Sequence, residues 1–344
     1  MKPALFPLFI SLLLTNLACQ PRPEEGAVSE YQVLVVEQGK GQVKRFNQEG
    51  KLLDSVKVGY NPHEIEWDAT LKQAYVSNFG VEDYDNTIGI PGSTLAVIDP
   101  KKISESRSWS TLRQDLPADS SKGPHGVKLR PGHDNQLYVN VEYGNAMLIM
   151  DPRDGQIQHS FAIPAGTHNF LFSNDGSLLY LMAGTNGLYT LASETGEELA
   201  HFPVTSALRG LALTKDESQI LLSCVNELYL LNTETLEVVQ HYTDLGVKQI
   251  IYTCFTPDEK WLLAPCPYDD QVLVIERASG RVLQKIKTGK APICVKISPD
   301  QSKAFVANAL DKHLSVIDLK DHSVQDFGVT DKPNGFLFLN QPSL

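Results

Sequence analysis

Residues 124–163, PHGVKLRPGHDNQLYVNVEYGNAMLIMDPRDGQIQHSFAI, contain four short runs of alternating apolar and polar residues, separated by turns rich in Pro, Asp or Gly. Residues 292–329, PICVKISPDQSKAFVANALDKHLSVIDLKDHSVQDFGV, repeat this order. Alternation with a period of two residues, bounded by turn residues, is typical of β-strands. Four strands in about 40 residues is the spacing of one blade of a β-propeller.

The same unit recurs along the whole chain. Complete copies begin near residues 62, 124, 167, 208, 250 and 292 and predict six blades. Residues 31–58 supply three strands without a first one, and NGFLFLN (334–340) supplies a first strand alone. We therefore predict an all-β fold, a single seven-bladed β-propeller with four antiparallel strands per blade. The C-terminal strand would join the N-terminal blade and close the ring, which removes open sheet edges.

The second strands carry a resemblance to a known repeat. QAYVSN (73–78), QLYVNV (136–141) and KAFVAN (303–308) are followed by AVID, LIMD and SVID, and the set resembles the YVTN-type propeller repeat. The resemblance extends over residues 31–340 and implies the propeller fold. Related propellers include surface-layer-like repeats, lactonase-type enzymes of sugar acids, and domains attached to haem or copper centres. This chain matches their shared repeat and not their site motifs, so no catalytic residue is carried over.

The N-terminus is typical of an exported protein. Residues 1–18 contain one lysine and then a short apolar run, as in a secretory signal peptide. The segment NLAC (16–19) resembles a bacterial lipobox, which makes Cys19 the predicted lipidation site and residues 19–30 a lipidated tether ahead of the propeller at 31–344. Simple cleavage before a free Cys19 is the alternative. The prediction is a lipid-anchored protein of the bacterial cell envelope, in the periplasm or at the cell surface.

The net charge of the chain narrows the classes of molecule that it can bind. The formal net charge of −11 argues against nucleic acid, because an acidic protein repels phosphates. We expect contact with the membrane through the lipid anchor only, and a monomer, since a closed ring needs no partner for its stability.

The remaining cysteines lack CxxC spacing and lie in apolar strands, which favours buried free thiols over an oxidised pair: Cys224, Cys254, Cys266 and Cys294.

Three histidines stand at the start of innermost strands, in NPHEI (61–65), GPHGV (123–127) and GTHNF (166–170). The innermost strand of each blade lines the central channel of a propeller. Aligning the blades by their turns gives seven equivalent positions at one mouth of the channel. These positions are Asn334, His63, His125, His168, Arg209, Ile251 and Ile293. We call His63, His125 and His168 the histidine arc, and Ile251 and Ile293 the isoleucine arc.

The histidine arc has more than one interpretation. The histidines can be plain hydrogen-bonding groups in a turn, since proline fixes φ and glycine permits close approach there. Alternatively, three neutral imidazoles with an open position can bind a divalent transition metal. A third interpretation is an organic anion held by Arg209, with the histidines as donors or bases. His63, His125 and His168 are thus candidate metal ligands, and together with Arg209 and Asn334 they are candidate ligand-binding residues.

Acidic residues on the same rim form a separate candidate. Glu82, Asp83 and Asp85 lie in an extended loop, FGVEDYDNTIGIPG (79–92), and Asp269 and Asp270 lie in CPYDDQ. Because no EF-hand spacing is present, we expect solvated loops here. A calcium site is the alternative. The chain contains no GxSxG, HExxH or glycine-rich phosphate loop.

These features leave three functional hypotheses. The first is a non-enzymatic binding module whose loop-rich rim holds a protein, peptide or glycan. The second is a lactonase-like or metal-dependent enzyme that uses the histidine arc. The third is an accessory role in metal or redox handling. The sequence identifies neither the ligand nor a catalytic residue.

Overall fold

The computed structural model describes residues 30–82, 87–99, 106–113 and 121–340 of the 344-residue chain. In these ranges the chain forms 28 β-strands and three short 3-10 helices, at Gln38–Lys40, Glu142–Gly144 and Gly184–Asn186. None of the helices in the described ranges has the length and apolar character needed to cross a bilayer. The predicted signal peptide, Cys19 and residues 19–29 of the tether lie outside the described residues.

The strands form seven four-stranded antiparallel sheets, which are the seven predicted blades. In every blade the first strand lies innermost, and the other three follow it outward from the channel. Blade 1 contains β28 (Pro333–Asn340), β1 (Tyr31–Glu37), β2 (Gln42–Asn47) and β3 (Leu52–Lys57); blade 2 contains β4 (Pro62–Asp68), β5 (Gln73–Asn78), β6 (Thr94–Ile98) and β7 (Ser106–Ser110); blade 3 contains β8 (Pro124–Leu129), β9 (Leu137–Val141), β10 (Ala146–Met150) and β11 (Ile157–Ala162); blade 4 contains β12 (Asn169–Phe172), β13 (Leu178–Met182), β14 (Leu188–Ala192) and β15 (Glu198–Phe202).

The remaining blades follow the same order. Blade 5 contains β16 (Gly210–Leu213), β17 (Gln219–Ser223), β18 (Leu228–Asn232) and β19 (Val238–Tyr242); blade 6 contains β20 (Cys254–Phe255), β21 (Trp261–Cys266), β22 (Gln271–Glu276) and β23 (Val282–Lys287); blade 7 contains β24 (Pro292–Ile297), β25 (Lys303–Asn308), β26 (Leu314–Asp318) and β27 (Val324–Phe327).

The ring closes as predicted. Strand β28 pairs antiparallel with β1, in a register that runs from Tyr31 opposite Asn340 to Glu37 opposite Pro333. Aromatic side chains fill the junction behind this pairing, where the ring of Phe305 lies 5.1 Å from that of Phe338 in an edge-to-face arrangement. Closure by main-chain hydrogen bonds and buried aromatic area pairs β1 on both sides and leaves β28 as the innermost strand of blade 1.

The core is divided among the blade junctions. Seven hydrophobic clusters of described residues each lie between two neighbouring blades. Buried tyrosines add a hydrogen bond across several junctions, because a buried hydroxyl needs a partner. The hydroxyls donate to carbonyl oxygens of the next blade: Tyr75 to Pro152 (2.9 Å), Tyr138 to Ser193 (3.0 Å) and Tyr242 to Arg277 (2.9 Å).

Blade 6 differs from the prediction at its innermost strand. We expected a full strand from residue 250, whereas only Cys254–Phe255 is a strand. The backbone turns before it, with Tyr252 at a φ of 41°. The amide of Tyr252 donates to the carbonyl of Arg209 on blade 5 at 3.3 Å. This hydrogen bond links blade 6 to blade 5 at the turn that precedes the short β20.

Candidate functional site

The start of the innermost strand is bulged, and the bulge aims the histidines. On blade 2 the pairing of β4 with β5 is irregular between Pro62 and Ile65, and on blade 3 that of β8 with β9 is irregular between Pro124 and Val127. A β-bulge leaves a residue out of the ladder and redirects its side chain. His63 and His125 occupy these bulges.

Polar side chains satisfy the amides that the bulges release. The amide of Gly126 donates to Oδ1 of Asn140 at 2.6 Å, and the amide of Glu64 donates to Oγ of Ser77 at 3.1 Å. Both acceptors lie on the second strand of the same blade, in the QAYVSN and QLYVNV motifs. The repeat motif therefore holds the local backbone that presents the histidines.

The three histidines of the arc converge. The ring centroids of His63 and His125 lie 4.6 Å apart, and those of His125 and His168 lie 3.7 Å apart. His63 and His125 are buried, with 1% exposure each, whereas His168 is partly open to the channel mouth. The predicted arc is thus one contact cluster in which each imidazole touches the next.

Glu142 completes this cluster. It begins the 3-10 helix Glu142–Gly144, between the second and third strands of blade 3, and its Oε2 accepts a hydrogen bond from Nδ1 of His168 at 2.8 Å. Burial alone would raise the pKa of Glu142, but the charge and hydrogen bond of His168, with His63 and Arg209 nearby, hold it below its ordinary value. Glu142 is therefore an anion at neutral pH.

The sequence analysis did not single out Glu142. It did place the loops of Glu82 and Asp269, which join the second and third strands of their blades, on the same rim as the histidines. A search of those loops for acidic residues directly after a YVNV-type strand would have found Glu142.

His125 is the most unusual group of the cluster. Neither Nδ1 nor Nε2 has a hydrogen-bond partner among the described residues, although both atoms are buried. Burial has the largest effect on the pKa of His125, and the nearby His168 and His63 lower it further by charge repulsion. Together they hold this pKa well below 6.5, so the ring is neutral. A buried polar atom without a partner costs about 1–3 kcal/mol, so the arrangement favours a bound group that uses these nitrogens.

Aromatic side chains close the outer side of the cluster. The ring of Phe79 lies 4.7 Å from that of His63 and 4.9 Å from that of His125, measured between centroids. Tyr143 stacks on Phe79 at 5.7 Å. Such a wall lowers the local dielectric and excludes water from one side of the cluster.

All seven equivalent positions line one cavity at the channel mouth, with a volume of about 190 Å³. The histidine arc and Arg209 lie on one side of the ring and the isoleucine arc on the other. Arg209 is exposed, whereas Asn334 is buried. The full lining is His63, Glu64, His125, His168, Arg209, Gln249, Ile251, Tyr252, Pro267, Tyr268, Ile293 and Asn334. The structure thus brings together every predicted ligand-binding residue; what they bind stays a prediction.

The acidic rim residues have structural partners. Glu82 accepts a hydrogen bond from Nζ of Lys332 at 2.8 Å, which ties its loop to blade 1. Asp269 and Asp270 accept hydrogen bonds from the amides of Lys248 (3.0 Å) and Ala291 (2.9 Å). Asp83 and Asp85 lie outside the described residues. Across the described part of the chain, the one group of His, Cys, Asp or Glu residues compact enough for a metal is His125, Glu142 and His168.

The four cysteines in the described ranges are free thiols, as predicted. Cys224 and Cys266 are buried in the core, and burial raises the pKa of each thiol to about 12. Cys254 and Cys294 line the channel below the mouth, and burial raises their pKa values to about 12 and about 11. Protonated thiols are poor nucleophiles and poor metal ligands. The chemistry of the site therefore falls to His63, His125, His168 and Glu142, which we call the histidine cluster.

Comparison with known proteins supports the fold. No protein-family model matches the sequence, so the YVTN-type resemblance stays a prediction, and no curated protein matches it either. Among solved structures, the periplasmic gluconolactonase of Pseudomonas aeruginosa is 18% identical with a TM-score of 0.70, over 91% of this chain and 100% of that one. This chain is a β-propeller of the same architecture.

Two further likenesses show how varied such propellers are. A protein from Bacteroides uniformis with a provisional 6-phosphogluconolactonase assignment is 16% identical with a TM-score of 0.71, over 90% of this chain and 100% of that one. The hydrazine synthase of Kuenenia stuttgartiensis is 17% identical with a TM-score of 0.68, over 82% and 91%. At these identities the likeness establishes the fold alone.

Proposed function

We propose that this chain is a lactonase-like hydrolase that opens small, oxygen-rich cyclic esters at the mouth of its central channel. The observation that carries the proposal is the cluster of His125, His168 and Glu142, two of which, His125 and His168, line a cavity of about 190 Å³ together with Arg209. A cavity of this size suits a small molecule rather than a folded partner.

The reaction needs two kinds of group, and the cavity contains both. In ester hydrolysis a water oxygen bonds to the carbonyl carbon, the ring C–O bond breaks, and the proton released by the water ends on the leaving oxygen. The product is a hydroxy acid. The histidine cluster provides the groups that activate the water, and the guanidinium of Arg209 offers a fixed positive charge to the oxygen that becomes negative.

The other walls of the cavity suit a hydroxylated ring. Gln249, Tyr268 and Asn334 present amide and phenol groups, which can donate to and accept from hydroxyls. Ile251 and Ile293 offer an apolar wall on the opposite side. Two of the structural neighbours are named for gluconolactonase chemistry, which agrees with such a substrate.

This proposal replaces the binding module as the leading hypothesis. A rim that only docks a protein, peptide or glycan has no need of a buried imidazole without hydrogen-bond partners, and His125 is one among the described residues. Protein, peptide or glycan partners, and the monomeric state, stay predictions. The accessory role in metal or redox handling is also still a hypothesis.

We also propose that the chain is exported and anchored by lipid at Cys19. The apolar run and lipobox-like NLAC support this location, as does the periplasmic origin named for the Pseudomonas neighbour. Metabolic labelling with a fatty-acid probe tests it, since Cys19→Ser would abolish the label. Persistent labelling of the variant would refute the anchor.

The decisive experiment is a hydrolysis assay of the purified full chain against a panel of aldonolactones, beginning with gluconolactone, with acid release followed by a pH indicator. We expect Glu142→Gln and His168→Ala to lower kcat/KM by about 100-fold or more. The matched control is a second carboxylate–imidazole pair outside the cavity, in which Nε2 of His241 lies 2.7 Å from Oε2 of Glu227.

Glu227→Gln and His241→Ala should leave hydrolysis unchanged. No hydrolysis above the buffer rate for any lactone would refute the proposal. So would equal losses in the cluster variants and in the control variants, because the loss would then reflect folding rather than chemistry.

A further inference from the structure

We infer that the histidine cluster is a binding site for one divalent first-row transition metal ion, with His125, His168 and Glu142 as ligands and His63 as the adjacent fourth group. One ligand atom from each of the first three residues lies within 4.8 Å of the others. His63 touches His125, with 4.6 Å between ring centroids. Metal binding follows from this geometry; its catalytic consequence rests on the proposed function.

The spacing of the donor atoms is close to that of a coordination shell. Tetrahedral coordination with bonds of about 2.0–2.1 Å places ligand atoms about 3.3 Å apart. The donor atoms of His168 and Glu142 are already 2.8 Å apart, and all three donor atoms lie within 4.8 Å of one another. The His125 and His168 rings, now packed against each other, would rotate apart to aim their nitrogens at one ion.

A second, independent observation points to a ligand at His125. Both nitrogens of the buried His125 ring lack a hydrogen-bond partner in the described part of the chain. An imidazole that served only the fold would be expected to donate one hydrogen bond and accept another. A metal ion bound to one nitrogen of His125 would give a partner to one of these two atoms.

The charges and donor types define the class of ion. Neutral imidazoles with one carboxylate suit zinc, iron, nickel or copper, whereas magnesium and calcium take oxygen ligands. No thiol belongs to the group, which distinguishes the site from a structural Cys-rich zinc site. Phe79 and Tyr143 wall one side of the cluster, and the cavity opens on the other, so one coordination position can face a substrate.

If the proposed function is correct, the ion explains how the cluster activates water. A metal of this class lowers the pKa of a bound water and polarises a carbonyl. His125, His168 and Glu142 would hold it with His63 beside them, and Arg209, on the same side of the cavity, would orient the substrate.

The test measures metal directly. The full chain is purified without chelator and analysed for elements, then stripped with chelator and titrated with Co²⁺ while visible absorption is recorded. We expect about one equivalent of transition metal per chain, saturable Co²⁺ absorption bands, and a higher Tm with Zn²⁺. His125→Ala and Glu142→Gln should lose the bands, and the matched controls His241→Ala and Glu227→Gln should keep them.

A variant that fails to fold is replaced by His125→Leu, which keeps the volume of the side chain, and near-ultraviolet circular dichroism checks each variant. A folded, stripped parent chain that shows no saturable Co²⁺ bands and no Tm shift with Zn²⁺ would overturn the inference. Undiminished lactone hydrolysis by protein shown to be stripped of metal would overturn the catalytic role of the ion and leave the hydrolase proposal intact. Stoichiometric metal without hydrolysis of any lactone would support the metal site and refute the hydrolase.

Discussion

The histidine arc and the isoleucine arc occupy equivalent places in the repeat but differ in chemistry. The innermost strand of blade 7 carries the same bulge after its first proline as those of blades 2 and 3. The backbone therefore places His63, His125 and Ile293 in equivalent positions around one cavity. The comparison teaches that the repeat determines where a side chain points, whereas the residue at that position determines what it can bind.

The loops beside the two arcs use their carboxylates differently. In blade 3 the loop after the second strand brings Glu142 to the imidazole of His168 on blade 4. In blade 6 the same loop brings Asp270 to the backbone amide of Ala291 on blade 7. The carboxylate next to the isoleucine arc therefore stabilises a turn, and the carboxylate next to the histidine arc adds a negative charge to a cluster of imidazoles.

The largest expected difference between the arcs is in catalysis. His125→Ala removes a reactive group, so we expect kcat for lactone hydrolysis to fall by about 10²–10⁴-fold. Ile251→Ala alters only an apolar wall, so its main effect should be on KM. Steady-state kinetics over a range of lactone concentrations separates the two. Equal losses of kcat in the two variants would show that the two arcs do not differ in their contribution to catalysis.

The two arcs should also differ in the sign of a stability change. Ile293→Ala removes buried apolar volume and should lower the free energy of unfolding by about 2 kcal/mol or more. His125→Leu removes two buried nitrogens that lack partners in the described structure, and should raise it by about 1–3 kcal/mol in chelator-treated protein. Urea unfolding at pH 7 measures both, and a destabilised His125→Leu would show that the imidazole serves the fold.

A smaller effect is expected from the pH dependence of stability. Burial raises the pKa values of Glu142 and Glu227, but their hydrogen-bonded neighbours outweigh it and hold both below the ordinary value of 4.5. Each carboxylate thus contributes stability that is present above pH 4.5 and is lost as the pH falls through the lower folded-state pKa.

Glu142→Gln should therefore lower the free energy of unfolding of chelator-treated protein by about 1.5 kcal/mol at pH 7 and by progressively less below pH 4.5. Glu227→Gln should show the same trend without a change in hydrolysis or metal content. Urea titrations between pH 7 and pH 3 check this pair. A difference from wild type that stays constant with pH would contradict the assigned role of Glu142.

The smallest expected effect concerns the blade junctions beneath each arc. Tyr75 crosses the junction of blades 2 and 3, and Tyr242 crosses that of blades 5 and 6, each by a hydrogen bond to a carbonyl. Tyr75→Phe and Tyr242→Phe should each cost about 0.5–1.5 kcal/mol in unfolding free energy and leave hydrolysis unchanged. Thermal denaturation beside the lactone assay tests both. A selective loss of hydrolysis in Tyr75→Phe would mean that this junction positions the histidine arc.

By itself, the sequence determined the blades, the closure of the ring and the channel mouth. Period-two alternation and a 40-residue repeat are local patterns, and they suffice to place His63, His125, His168 and Arg209 on one rim. These patterns overextend one strand, at the start of blade 6. There the backbone turns at Tyr252, whose amide hydrogen-bonds to blade 5, a contact between blades that no local pattern encodes.

Only the tertiary structure decided which of these residues form a cluster. Whether three imidazoles on three blades touch depends on the width of the channel and on the bulges at Pro62 and Pro124. The meeting of Glu142 with His168 is likewise a contact between blades, separated by 26 residues in the chain. That the nitrogens of His125 lack hydrogen-bond partners among the described residues follows from packing around a buried ring, because hydrogen-bond satisfaction is a property of the assembled core and not of the repeat.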